Sequence, residues 1–148
     1  MSKGTSPMIA YVFYSHYEYS DIWPVLFGQS EKFLKGKKKY LITNEVGDFD
    51  IKDWNVILYE DEDKYQQRVS KSLSKIEEEI VVFHHEDMFL LNQPDFDKIE
   101  VIANQVKLGS LDMVKMTKAS YDDSHHTRYS DNLYLNPKNL LFAIQPTI

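Results

Sequence analysis

The sequence predicts an α/β fold, a three-layer sandwich with a mostly parallel central sheet, on three observations. Short apolar runs rich in β-branched and aromatic residues recur along the chain. They alternate with longer stretches whose apolar residues fall at helical spacing, the signature of strand–helix–strand units. The strongest run, Ile80 to Phe83, shows no polar alternation, as expected of a central strand covered on both faces.

Taken in order, Met8 to Tyr14 is a first buried strand, broken by the polar and aromatic loop Ser15 to Asp21. A helix starts near Trp23-Pro24, since proline fits a first turn whose amides have no partners. It carries Trp23, Leu26, Phe27 and Phe33 and stops near Gly36, with Lys35 and Lys37 complementing its carboxyl end. Lys39 to Thr43 is a second strand, leading into a turn at Asn44 to Asp48. Trp54 to Tyr59 is a third strand, ended by the acidic run Glu60 to Asp63. The next helix sets Tyr65, Val69, Leu73 and Ile76 on one face and turns Arg68, Lys71 and Lys75 away from it.

Ile80 to Phe83 then gives way to His84, His85, Glu86 and Asp87, which cannot extend a buried strand cheaply. Pro94 and Asp95 open another helix, striped by Phe96, Ile99, Ile102 and Val106 and ended by Gly109. Leu111 to Met116 reads as a fifth strand, Thr117 to Asp131 as a polar loop, and Asn132 to Ile148 turns apolar again. Met1 to Pro7 reads as a disordered leader, and residues 8–148 as one domain.

The composition is that of a soluble globular protein, with 43% hydrophobic and 27% charged residues. A formal net charge of −6 argues against non-specific nucleic-acid binding, which needs a basic field. No apolar run approaches the roughly 20 residues that span a bilayer. The absence of cysteine excludes disulfides and thiolate metal sites and is compatible with a cytoplasmic setting.

Ligands of open α/β sheets bind at the carboxyl ends of the strands, and two segments fall there. Glu86-Asp87 is a candidate seat for Mg²⁺ or Mn²⁺ and the phosphates such an ion carries; the alternative is an acidic pair that ends a strand at the surface. His85 shares a side with Asp87. Ser15, His16 and Ser20 could hydrogen-bond a base or ribose, with Tyr14 or Tyr17 stacking, unless Ser20 or Asp21 caps the helix instead. His125-His126 beside Asp122 and Asp123 lacks a ligand spacing and reads as solvated, and Lys35 to Lys39 reads as a helix carboxyl-end cluster.

The order and spacing of several pieces resemble the amino-terminal, nucleotide-binding part of a GT-A-type glycosyltransferase. They are Tyr14 to Trp23 with Phe27 to Gln29, Tyr65 to Leu73, Val82 to Leu90, and Gln145 to Ile148. The resemblance implies a Rossmann-like donor domain that binds a nucleotide-diphospho-sugar and transfers the sugar to an acceptor hydroxyl of a glycan or lipid. By position the family's Asp-x-Asp motif falls on His85, Glu86 and Asp87, with His85 in place of the first Asp, and implies a Mn²⁺ or Mg²⁺ cofactor. Arg68 and Lys71 become diphosphate neighbours, and Ser15, His16 and Ser20 the nucleoside-facing edge. The resemblance assigns no catalytic base; that residue usually lies beyond a point equivalent to Ile148, so a chain abbreviated in its acceptor half is expected. A non-catalytic nucleotide- or sugar-binding module on the same fold is the alternative. A phosphoacceptor domain using Lys118 would need acidic residues where Ser15-His16 stand.

Overall fold

The computed structural model describes residues 5–109, 111–114, 116, 127–130 and 133–135. The chain divides into two compact units, Met1–Val114 and Lys115–Ile148. In the first, β1 (Ile9–Tyr14), β2 (Lys38–Thr43), β3 (Asn55–Leu58) and β4 (Ile80–His85) form one all-parallel sheet in the order β3-β2-β1-β4. Three helices cover it: α1 (Trp23–Phe33), α2 (Tyr65–Leu73) and α3 (Phe96–Lys107).

The period of two along a strand sorts the core into two layers. Tyr11, Phe13 and Leu41 face α1 and α3, where they pack with Trp23, Leu26, Leu34 and Ile99. Ala10, Val12, Tyr14, Tyr40 and Ile42 face α2, against Val69, Leu73 and Ile76. Ile76 makes that contact from just beyond the helix, which ends at Leu73. The β2–β3 crossover contains no helix. Its Val46, Phe49, Ile51 and Trp54 pack on the α1/α3 face and fill the place that a crossover helix usually takes. Gly36 and Gly109 follow α1 and α3 with φ of +75°, the left-handed conformation in which glycine ends a helix.

Three expectations are corrected. Among the described residues the run starting at Ile80 is an edge strand and not the central one: β4 pairs with β1 alone, and all six of its residues are half-buried. Helices on both faces are enough to demand apolar side chains there, whichever position the strand takes in the sheet. The strand also continues through His84 and His85, whose rings stack on aromatic neighbours instead of entering a polar loop. Leu111–Val114 and Met116 are not strand; Met113 and Met116 are 77% and 52% exposed, and no strand pairs with them among the described residues.

In the second unit, part of the stretch expected to be loop is β5 (Thr127–Ser130), paired antiparallel with β6 (Leu133–Leu135) through a register shift between Arg128 and Ser130. The Asp122, Asp123, His125 and His126 cluster, Lys118 and Gln145 to Ile148 lie outside the described residues, as do Met1 to Gly4 of the expected leader. No helix among the described residues is long and apolar enough to cross a membrane.

Candidate functional site

The strand order reverses between β1 and β4: from β1 the chain moves outward through β2 and β3, then returns to lay β4 on β1's other side. Ligands of open α/β sheets bind in a crevice at the carboxyl ends of the strands where the order reverses, and this is the candidate crevice here; the helices that follow β1 and β4, α1 and α3, pack on the same face of the sheet. Tyr14 pairs with His85 at that point, and the Glu86 amide donates to the Tyr14 carbonyl at 3.1 Å. The two segments singled out in the sequence, Tyr14 to His16 and His85 to Asp87, therefore meet.

Aromatic side chains floor one side of the crevice. The Tyr14 ring stacks on Tyr59 (5.3 Å between centroids, 7° between planes) and receives the edges of Tyr65 and His85. Tyr65, at the first turn of α2, lies nearly parallel to His85 and its hydroxyl is 3.2 Å from His85 Nε2. Tyr65 is 48% exposed, so part of this Tyr–His pair reaches solvent. His84 points to the other face of the sheet and stacks on Phe13 at 4.6 Å, inside the core. Burial pushes the His84 imidazole below its ordinary value.

On the rim, Asp61 gathers the loops that follow three strands. Its carboxylate accepts from His16 Nε2 at 3.1 Å and from Asn44 Nδ2 at 2.9 Å, and lies 3.7 Å from Arg68. His16 Nδ1 accepts from the Glu18 amide at 3.1 Å, so the neutral ring carries its proton on Nε2 and donates it to Asp61. Both imidazole nitrogens are thus engaged. Asn44 Oδ1 in turn accepts from the Tyr17 amide at 2.8 Å. Nothing in the residue pattern singles out Asp61, which stands inside an acidic run that suits any helix start.

The remaining candidates are placed differently. Ser15 is fully buried; its hydroxyl accepts from Trp23 Nε1 at 2.8 Å and donates to the His16 carbonyl, and its own carbonyl accepts from the Tyr59 hydroxyl at 2.9 Å. It supports the crevice from below. Ser20 lies in a 3₁₀ turn, Tyr17–Ile22, that runs directly into α1, and its carbonyl accepts from the Trp23 amide. No side chain caps α1. Arg68 donates to the carbonyls of Asp61 and Asp63 and lies over the Tyr59 ring. Lys71 is paired with Asp63 at 2.6 Å. Both line a small depression of about 110 Å³ on the outer flank of β3 with Leu58 and Ser72.

Glu86 is half-buried and Asp87 exposed. Burial holds the Glu86 carboxyl above its ordinary range and the Asp87 charge adds to this, while His85 and His16 pull it back. No group of three or more His, Asp or Glu side chains converges among the described residues. Comparison with protein-family models, with curated proteins and with solved structures returns no match to this chain.

Proposed function

We propose that the crevice between β1 and β4 binds the nucleoside diphosphate of a nucleotide-sugar donor, and that the protein transfers the sugar to an acceptor hydroxyl of a glycan or lipid. One observation carries the reading: the reversal of strand order brings a partly exposed aromatic pair and two adjacent carboxylates to the same carboxyl edge. Tyr65 and His85 offer a stacking surface for the base. Glu86 and Asp87 would hold a divalent cation. They fit an ion carried by two protein carboxylates and completed by phosphate oxygens, because Glu86 is a partly desolvated carboxyl that its acidic neighbour further discourages from ionising. Such a cation, when bound, would offset the charge of the departing diphosphate. His16 and Arg68 are positioning residues in this account, since their donors and acceptors already hold the rim together.

A second reading, a non-catalytic donor-binding module, draws on the engagement of both His16 nitrogens. With Glu86 and Asp87 on the cation, His16 then offers no free nitrogen to deprotonate an acceptor. Calorimetric titration with a panel of nucleotide sugars, with and without Mn²⁺, tests the common premise. Binding that strengthens with metal and is lost in Asp87→Asn is expected; no binding to any member refutes both readings. Sugar release or transfer by the bound protein would separate the first from the second.

A further inference from the structure

We infer that the sugar acceptor is lipid-tailed and that its apolar chain seats on a lip formed by Val25, Phe89 and Leu91, on the α1 side of the crevice. This rests on the donor-binding reading only in taking the ligand to be the acceptor; the apolar seat itself has separate support. Phe89 follows Asp87 by two residues, at most about 7 Å of extended chain, so the lip begins where the carboxylates end.

The loop after β4 is fastened from inside. The Leu90 amide donates to Gln29 Oε1 at 2.9 Å, and the Leu90 side chain packs against the core layer that holds Trp23 and Leu26. The residues on either side of that anchor stay in water: Phe89 is 39% exposed and Leu91 82%. Val25 stands one turn before Gln29 on α1, where side chains four apart are neighbours, and is 52% exposed. Apolar side chains held in water at the rim of a site are the usual mark of something that docks there.

Charge and size select the partner. Ser15 to Glu31 and His84 to Asp97, the segments that carry the lip and the crevice edge, contain acidic residues and no lysine or arginine. An anionic membrane surface, which draws basic side chains, is therefore a poor match. A folded partner or a second copy takes about 20–30 residues a side, far more than these three side chains supply. A single alkyl chain needs neither charge nor breadth, because it gains by removing methylenes from water along a short apolar strip. Of the two acceptor classes, glycan and lipid, only the second has an apolar part for the lip to bind.

The test titrates the full chain with alkyl maltosides below their critical micelle concentrations, with backbone amides followed by NMR. Saturable shifts are expected at Val25, Gln29, Phe89, Leu90 and Leu91, and none with maltose. Affinity should rise at least tenfold from the octyl to the dodecyl chain, since each buried methylene is worth about fourfold. Phe89→Ser/Leu91→Ser should weaken binding at least tenfold. Leu91→Ser alone, at the most exposed of the three positions, should weaken it at least threefold and keeps the test if the pair disturbs the loop. Leu108→Ser, equally exposed just past the far end of α3, should leave it unchanged. Shifts with maltose, no dependence on chain length, or binding indifferent to these serines overturns the inference, as does a dimer that the double variant abolishes. Titration with a nucleoside diphosphate and Mg²⁺ reports the crevice separately, at Tyr14 to His16 and His85 to Asp87. Shifts there without alkyl binding refute the lipid-tailed acceptor and leave the donor reading; alkyl binding without them upholds the apolar seat and refutes the donor reading.

Discussion

Ser15 offers the most direct test of the packing beneath the crevice. Its hydroxyl is the acceptor for the indole N–H of Trp23, at 2.8 Å, and both residues are completely buried. Ser15→Ala removes the acceptor and leaves a desolvated donor that water cannot reach. An orphaned buried group of this kind costs about 1–3 kcal/mol. For a chain of 148 residues that range corresponds to a fall in Tm of roughly 3–9 °C. The measurement is urea unfolding followed by tryptophan fluorescence, with the slope unchanged and the midpoint lowered. A double-mutant cycle is the sharper test. In a Trp23→Phe background no indole is left to orphan, so the same Ser15→Ala change should be milder by about 1 kcal/mol. Equal losses in both backgrounds, or a loss under about 0.5 kcal/mol, would refute the pairing. Ser15→Ala should also leave nucleotide affinity within a factor of about two once folding is accounted for, because its hydroxyl does not reach the crevice.

Other perturbations read out other parts of the structure. Asp61→Asn should destabilise by at most about 1 kcal/mol, since its carboxylate is half-exposed and screened, yet speed hydrogen exchange at the Tyr17 and Glu18 amides whose acceptors it holds in place. Gly47→Ala should cost about 1–3 kcal/mol and detach Tyr17 from Trp23, visible in tryptophan emission: φ there is +53°, and a Cβ would fall 2.5 Å from the Tyr17 hydroxyl. Two groups set opposite pH slopes. Glu86 binds its proton more tightly folded than unfolded, so its contribution is fully present below the ordinary carboxyl value of 4.5 and is lost as pH rises through the raised folded value; Glu86→Gln should abolish that loss in denaturation curves taken across this window. His84 is held neutral in the core, so its contribution is present above the ordinary imidazole value of 6.5 and is lost as pH falls toward the depressed folded value, a slope that His84→Phe should flatten.

Much of the fold was legible because periodicity reports which faces of an element are covered. β1, β2 and α3 emerged within a residue or two, and Pro24, Gly36 and Gly109 marked helix ends as their backbone preferences require. Periodicity does not report lateral neighbours. Ile80 to Phe83 was apolar on both faces, which is true of β4, but that says nothing about a strand on its free side. Leu111 to Met116 carried a strand-like pattern that no strand among the described residues completes, whereas Thr127–Ser130, polar but rich in residues that favour extended backbone, found a partner in β6. For the candidate site, strand-end placement located Tyr14 to His16 and His85 to Asp87, but hydrogen-bond allegiance was invisible. Ser15 and Arg68 have side chains suited to a ligand, and the protein uses them on Trp23 and on the carbonyls of Asp61 and Asp63. Asp61, indistinct in the sequence from its acidic neighbours, is distinguished only by the His16 and Asn44 loops and the Arg68 guanidinium that converge on it.

The central claim is that the ends of β1 and β4 form one binding crevice. Its most direct test is an amide-resolved NMR titration of the whole chain with a mixture of nucleoside diphosphates in Mg²⁺. Concerted, saturable shifts are expected at Tyr14, Ser15 and His16 and at His85, Glu86 and Asp87, with Tyr65 following and all of them lost in Asp87→Asn. Shifts confined to one of the two segments, or no saturable shift at either, would contradict it.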